Sequence, residues 1–344
     1  MVTMQQVADR AKVSISTVSF VINGTKQVTP ETRERVLEAI AELGYRRNTV
    51  ARALATRRSR ILALIYPLFD HRHHHAFVEA AATAAKEHGY NLVLWPVHSD
   101  DVSTEITSLI QAGFADGVLL MEVQLDDERV TRLREAEAPF ALIGRTRELD
   151  GIDYVDIDFE RSTEAAVEQL ASLGHRHFSL IIEDLSGTPL AGYAPPVRTE
   201  QAFRAAIAER GLTGSVFRVP HEPHAVSTVA ETVLGAAPDT TAIISMHDEA
   251  CLVLVNSLPR HGLRIPDDVS IVAIAASTLT TDLMDPPVTT YEGLGQELGR
   301  TAAEALIARL EGRDGPLVQV LVPCALHEGG TVAPARAGQT VVRS

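Results

Sequence analysis

Apolar positions follow a helical period at the amino end of the chain and a strand-helix alternation after it. Val7, Ala8 and Ala11 fall at the i, i+3/i+4 spacing of one inward face. Thr3 stands three residues before Gln6, the pairing of a capping box, so a first helix opens there. Ser14 predicts the cap of a second helix over 15–22. Val18, Val21 and Ile22 would pack against the first helix, which leaves Ile15, Ser16, Ser19 and Phe20 on the opposite side. Thr29-Pro30 opens a third helix, with threonine as cap and proline at the first helical position. Val36, Leu37, Ile40 and Leu43 form its expected apolar face, and Gly44 its stop. Asn48 can cap a helix of about two turns through Ala55, too short to persist in water without a partner. So small a helical unit barely buries a core, and an attached body is expected.

From Ile61 short apolar runs alternate with helical stretches. Strands are expected at 61–67, 91–97, 115–121 and 140–145, separated by helices near 77–88, 103–112 and 127–137. The run 153–158 leads into a second series. It has helices at 160–173, 198–210, 226–235 and 249–261, and strands at 178–182, 215–219, 241–246 and 269–275. A last apolar strand is expected at 317–323. Alternation at this spacing implies parallel sheets covered on both faces.

The length of 344 residues accommodates a small head and a body of one or two domains. A hydrophobic content of 45% with 22% charged residues is ordinary for a soluble globular protein. No run of about 18 apolar residues exists, so no membrane span is expected. Gln5, Gln6, Asp9, Arg10 and Lys12 interrupt any apolar leader, and the chain reads as cytoplasmic. Cys251 and Cys324, both in apolar contexts, read as structural thiols in a reducing compartment. Charge changes the picture most. Residues 1–60 hold 11 Lys/Arg against 5 acids, a balance of +6. The whole chain has 31 and 45, which leaves 20 and 40, or −20, for the remainder. A basic head on an acidic body is the footprint of phosphate binding by the head alone. The outward residues Ile15, Ser16, Ser19 and Phe20 then become the face a recognition helix offers to a major groove. Arg57, Arg58, Ser59 and Arg60 complete a basic linker.

Three blocks carry a more specific signal: V-A-x-x-A-x-V-S-x-x-T-V-S-x-V-I-N from Val7, T-P-E-T-R-x-R-V-x-x-A-x-x-x-L-G-Y from Thr29, and N-x-x-A-R-x-L from Asn48. In this order and spacing they resemble the lactose repressor family of bacterial transcription regulators. The match is dense over the first sixty residues and looser beyond. There L-G-H-R at 173–176, R-I-P-D-D-V-S at 264–270 and P-P-V-T-T at 286–290 are similar to the family's effector domain. The resemblance implies an α/β fold class: an N-terminal three-helix helix-turn-helix head plus hinge helix, then a periplasmic-binding-protein-like effector domain of two parallel-sheet α/β halves. It places the head at 1–46, the hinge helix and linker at 47–60, the effector-binding and dimerisation domain at 61–333 and a tail at 334–344. The N-half would take about 61–159 plus 291–319 and the C-half about 162–288 plus 322–333, with crossovers near 159–162, 288–291 and 319–322.

The same resemblance implies DNA contacts from Ser14, Ile15, Ser16, Thr17, Ser19, Phe20 and Asn23, and from Thr29 and Thr32. It adds Asn48, Ala51, Arg52 and Leu54 of the hinge, which forms when two subunits meet on the operator. Leu54 falls on the position that wedges between base steps in the minor groove. The implied function is that of a repressor that binds a palindromic operator as a homodimer, controlled by a small molecule, without cofactor, metal or catalytic residues. The terminal A-G-Q-T-V-V-R-S holds no leucine heptads, so a dimer rather than a tetramer is expected. Two positions depart from the family pattern. Lys12 occupies a turn where glycine is common, and a left-handed backbone there would cost about 1 kcal/mol. Phe20 stands where several members place an arginine on guanine, and could pack on a thymine methyl instead.

Ligands of such sheets bind beyond the carboxyl ends of strands, here between the halves. By resemblance Arg198, in R-x-x-x-x-F-R-x-A-I, faces the effector, its guanidinium suited to hydroxyls, carboxylates or phosphates. Asp248, in S-M-H-D-E-A, falls on the family's Asn-Asp pair with His247 in place of the asparagine. Arg145 ends the fourth strand, with Gly144 where an acid is frequent. Where an aspartate often grips sugar hydroxyls the chain has Ala275-Ala276-Ser277, and where N-P-F-F is common it has His71-Arg72-His73-His74-His75. His71, His73 and His74 therefore join Arg145, Arg198, His247 and Asp248 as candidate effector residues. These departures leave two readings open: a sugar, ahead on family frequency, and an anionic or aromatic effector, including one that tightens DNA binding. Imidazoles also admit a metal reading. Adjacent loop histidines converge poorly on one ion, and only Asp70 and Glu79 stand near enough to complete a set, so a titrating loop is favoured. No G-x-G-x-x-G or G-x-x-x-x-G-K-[ST] follows a strand and no G-x-S-x-G elbow occurs, so no enzyme is expected. A pure solute-binding protein is opposed by the basic head.

Overall fold

A computed structural model describes residues 2–23, 26–45, 58–67, 75–97, 102–188, 190–220, 222–313 and 315–336. The chain separates into two compact units, Met1–Ser59 and Arg60–Ser344. In the first, the described residues form three helices: α1 (Met4–Ala11), α2 (Ile15–Asn23) and α3 (Pro30–Leu43). The capping box at Thr3 closes as expected, with Gln6 Oε1 accepting from Thr3 N at 2.9 Å and Thr3 Oγ1 accepting from Gln6 N at 3.3 Å. Ser14 Oγ accepts from Thr17 N at 3.1 Å and Thr29 Oγ1 from Thr32 N at 3.4 Å. Gly44, with φ +62°, ends α3. Lys12 does take the left-handed position, with φ 56° and ψ 48°, and its N–H caps the last carbonyls of α1. Val7, Ala8, Ala11, Val18, Val21, Val36 and Ala39 make the core of this unit. Leu37 is a correction: it is 49% exposed, and Ala39 is buried instead. At about 100° per residue, Ala39 and Leu43 return to the side of Val36 while Leu37 turns away.

The second unit opens with β1 (Ile61–Pro67), α4 (His75–Glu87), β2 (Asn91–Val97), α5 (Val102–Gln111), β3 (Gly117–Leu120), α6 (Glu128–Glu135), β4 (Phe140–Ile143) and β5 (Asp153–Ile157). It continues with α7 (Phe159–Ser172), β6 (His177–Asp184), α8 (Ala194–Glu209), β7 (Thr213–Pro220), α9 (Pro223–Ser227), α10 (Val229–Ala236), β8 (Ala242–Ser245), α11 (Asp248–Ser257) and β9 (Ser270–Ala276). The last stretch holds α12 (Thr278–Thr281), β10 (Thr289–Glu292), α13 (Gly295–Leu310), β11 (Gln319–Val322) and β12 (Ala325–His327). Of these only β11 is foreshadowed by the apolar pattern.

Two six-stranded sheets result, in the orders β11-β5-β4-β3-β1-β2 and β12-β10-β9-β8-β6-β7. Every pairing is parallel except β10 with β12. β3 and β5 are buried along their whole length, the mark of strands covered on both faces. β10 pairs with β9 and so completes the second sheet, whereas β11 pairs with β5 and completes the first. The crossings between halves therefore fall at 293–294 and 323–324 rather than near 288–291 and 319–322, and the first comes at Asp158, the cap of α7. Arg309 of α13 grips Asp153 at 2.8 and 3.1 Å, anchoring that helix beside β5. Among the described residues no helix is long and apolar enough to cross a membrane. Both cysteines are free; burial pushes the Cys251 thiol up to about 12, which keeps it protonated.

Candidate functional site

The head presents the face its pattern predicts. Val18 and Val21 are buried, Ser14 and Ser16 are exposed, Ile15 is 45% exposed, and Thr17, Ser19 and Phe20 are half-buried. Ser14 Oγ lies 2.7 Å from Ser16 Oγ and 2.8 Å from Thr17 Oγ1, a hydroxyl cluster at the start of α2. A matching pair, Thr29 and Thr32, stands at the start of α3 with its hydroxyls 2.9 Å apart. Helix N-termini furnished with hydroxyls and free N–H groups suit phosphate oxygens. Lys26 Nζ stands 5.2 Å from the Phe20 ring centroid, so a cation rides on the residue that replaces the family arginine. Asn23 closes α2. Asn48, Ala51, Arg52 and Leu54 lie outside the described residues.

In the body, a cleft of about 1180 Å³, open mouth included, runs between the carboxyl ends of the two sheets. Met121, Glu122 and Val123 follow β3, Ile143 and Gly144 end β4, and Asp156 and Ile157 end β5. Glu183 of β6, Met246 after β8 and Ala275 of β9 face them from the other sheet. Phe77 and Leu298 enter from helices, and Tyr193, Asp248 and Glu249 from helix starts. Glu122 and Ala275 are non-glycine residues at φ 51° and φ 56°, and Gly144 sits at φ 118°. Side chains held in the left-handed region cost of order 1 kcal/mol or more, and such strain concentrates where a fold must present particular atoms. The wall of one half is stitched to the other at the loops, where Leu125 N donates to Gly192 O at 3.0 Å and Ala194 N to Val123 O at 3.2 Å.

Among the described residues the cleft is lined by acids rather than bases. Five carboxylates line it, Glu122, Asp156, Glu183, Asp248 and Glu249, and among the described residues no lysine or arginine does. Loss of solvent, then the nearby Glu122, Asp156 and Glu183 charges, hold the Tyr193 phenol well above its ordinary range, so it remains a proton donor. Burial pushes Asp156 up to about 7 against the charge and hydrogen bond of Arg145. The folded chain thus keeps a proton that an unfolded aspartate releases near pH 4. Stability contributed by this group falls as pH rises through the interval from about 4 to about 7, by up to ~1.4 kcal/mol per pH unit. Asp156→Asn is expected to gain stability relative to the parent across that interval, read by melting both proteins over a pH series. A constant difference would contradict it.

The sequence-derived effector residues divide. Asp248 lines the cleft. Arg145 is buried and lies behind the lining, with Nε donating to Asp156 Oδ2 at 3.0 Å and Nη2 held by Glu160. Arg198 donates from Nη1 to Glu160 Oε1 and from Nη2 to the Thr146 carbonyl, both at 3.2 Å. His247 is buried under the start of α11, its Nδ1 3.0 Å from Glu249 Oε2. His71, His73 and His74 lie outside the described residues. Among the described residues no cluster of His, Cys, Asp or Glu could hold a metal. Sequence reasoning missed Glu122, Asp156, Glu183, Tyr193 and Glu249; their signal was a place at the end of an apolar run or at the start of a helix.

A groove-reading helical head joined to a two-lobed α/β body with an open cleft defines a ligand-responsive DNA-binding regulator. Comparison with known proteins makes that more specific. The model for bacterial regulatory proteins of the lacI family matches residues 3–48, and that for a periplasmic binding protein-like domain matches 167–332. The HTH-type transcriptional regulator CelR of Thermobifida fusca is 31% identical, over 93% of this chain and 95% of its own length. Catabolite control protein A of Priestia megaterium is 28% identical over 93% and 96%. Among solved structures, a CelR–cellobiose complex matches with TM-score 0.69 at 28% identity, covering 96% of this chain and 100% of that one. The lac repressor dimer bound to operator and the anti-inducer ONPF shares the fold, with TM-score 0.83 at 24% identity over 96% and 99% of the two chains. The chain belongs to the lacI family of bacterial regulatory proteins, and it is a DNA-binding transcription regulator with an effector-binding body.

Proposed function

We propose that the chain is a cytoplasmic homodimeric repressor whose two heads read the half-sites of a palindromic operator, relieved or reinforced by a neutral polyhydroxylated effector bound in the cleft. Ser14, Thr17, Thr29 and Thr32 set the register on phosphates, Ile15, Ser16, Ser19 and Phe20 meet base edges, and Leu54 with Arg52 serves the minor groove. The observation that carries the effector reading is the cleft itself: five carboxylates, a phenol and apolar walls, with both nearby arginines ion-paired to Glu160 behind the lining. Carboxylates accept from sugar hydroxyls, and the apolar side chains suit the carbon faces of a ring. The likeness to the cellobiose-bound CelR supports the same class. The described lining favours this reading over an anionic effector.

A thermal-shift screen of neutral sugars against small acids tests this. Stabilisation by one or a few neutral polyols is expected, worth ~2.7 kcal/mol at a hundredfold excess over Kd. It should vanish in Asp248→Ala. Stabilisation by carboxylates or phosphates alone would overturn the proposal.

A further inference from the structure

We infer that Asp116, with Tyr90 and Glu311, clamps Arg60 where the chain leaves the body, and that this clamp fixes the exit direction on which operator binding by the head depends. The inference rests on the reading of the chain as a repressor that binds a palindrome.

Arg60 is the first residue of the body unit, and β1 begins at the next residue. It is a non-glycine residue at φ 56°. Side chains avoid that region because Cβ crowds the following carbonyl, so a residue stays there only where its surroundings hold it. Both the backbone and the side chain of Arg60 are held. Its N–H donates to Asp116 Oδ2 at 3.0 Å, and its carbonyl accepts from Asn91 N at 2.8 Å. Its guanidinium carbon lies 4.8 Å from the centroid of the Tyr90 ring, and Nη1 donates to Glu311 Oε1 at 3.4 Å. Asp116 is itself placed by β1, its N–H donating to the Ile61 carbonyl at 2.8 Å just ahead of β3. Relaxation of Arg60 to an extended φ would swing the preceding chain through more than a right angle while β1 stayed paired with β2 and β3. The groups on the side chain belong to two helices that also reach the cleft. Tyr90 follows α4, which carries Phe77, and Glu311 caps α13, which carries Leu298. Leu298 and Glu311 stand about 20 Å apart along that helix, at 1.5 Å per residue. The two helices pack closely at Phe77 and Gly299. A ligand that shifts this pair in the cleft therefore shifts the groups that hold the exit. Asp116 is a positioning residue: it acts through the backbone of Arg60.

Fluorescence anisotropy of the full chain on a palindromic duplex taken from the DNA flanking the coding sequence tests the assignment. Arg60→Gly and Arg60→Pro lose the same charge, so any contribution of that charge to DNA affinity cancels between them. Glycine keeps the left-handed turn and the N–H to Asp116, whereas proline excludes both. Arg60→Pro is expected to bind at least about tenfold more weakly than Arg60→Gly, with the melting of the body alike in the two. Asp116→Ala, which keeps Arg60, should lose about tenfold against the parent, and Asp116→Asn should stay near the parent because its amide oxygen still accepts from the Arg60 N–H. Equal affinities of the folded glycine and proline chains overturn the assignment, as does an Asp116→Ala chain that binds like the parent. A parent chain that binds no palindrome there counts separately against the repressor reading. The clamp is then judged by tryptic cleavage after Arg60, expected to be at least about fivefold faster in Asp116→Ala than in the parent. An unchanged cleavage rate overturns it.

Discussion

Val18→Asp is expected to abolish operator binding and to leave the melting of the body unchanged. Val18 is fully buried in a head whose core, among the described residues, is four valines and three alanines. An unpaired carboxylate in that position costs several kcal/mol, or forces the helices apart to reach water. A helical unit of this size has only a few kcal/mol of stability to lose. The head therefore unfolds, the α2 face disappears, and specific affinity falls at least about a thousandfold, to the level of nonspecific binding or below. Calorimetry should show the body transition unchanged, because residues 60–344 form a separate compact unit. Ser16→Ala is the matched control: an exposed position, little change in stability, and an altered preference for one base per half-site. Operator binding retained by Val18→Asp would contradict the packing of α2 described here.

Gly299→Ala should damage the body severely for a single added methyl. A Cβ on Gly299 would lie 2.2 Å from the Phe77 carbonyl oxygen, 2.9 Å from its carbon and 3.0 Å from its Cα. All three are backbone atoms of α4, so no rotamer change relieves the overlap, and α13 must move off α4. The expected loss is about 3 kcal/mol, at the upper end of overpacking costs. That corresponds to a fall in Tm of about 5–10 °C. Phe77 and Leu298 both line the cleft, so ligand binding should weaken along with stability. A melting temperature within about one degree of the parent would show that the two helices do not approach as closely as this.

The head was legible in the sequence because its instructions are local. The caps at Thr3, Ser14 and Thr29, the proline at position 30 and the stop at Gly44 each act within a turn of the residue concerned. Most strands of the body were legible because a strand buried on both faces must be an apolar run. α13 was not. It starts at Gly295 after Leu294 with no side-chain cap, and its buried face relies on Gly295, Gly299, Ala302, Ala303 and Ala305, small residues that mark an apolar period weakly. β10 and β12 are too short to signal themselves, and which sheet each joins is a tertiary choice. In the cleft, Asp248 was reached through its motif, but the fate of Arg145 and Arg198 could not be. Whether an arginine faces a ligand or a neighbouring carboxylate depends on Glu160 and Asp156, brought together only when α7 docks on α8 and the second sheet.

Regulation of the head through the cleft is tested most directly by operator affinity, measured by fluorescence anisotropy on a palindrome from the DNA flanking the coding sequence, over a salt series, with and without a compound that thermally stabilises the body. A steep fall with salt is expected, together with an affinity change of about fivefold or more on adding the compound, reduced to none in Asp248→Ala. Salt-insensitive binding, or a compound that fills the cleft and leaves operator affinity untouched, would contradict it.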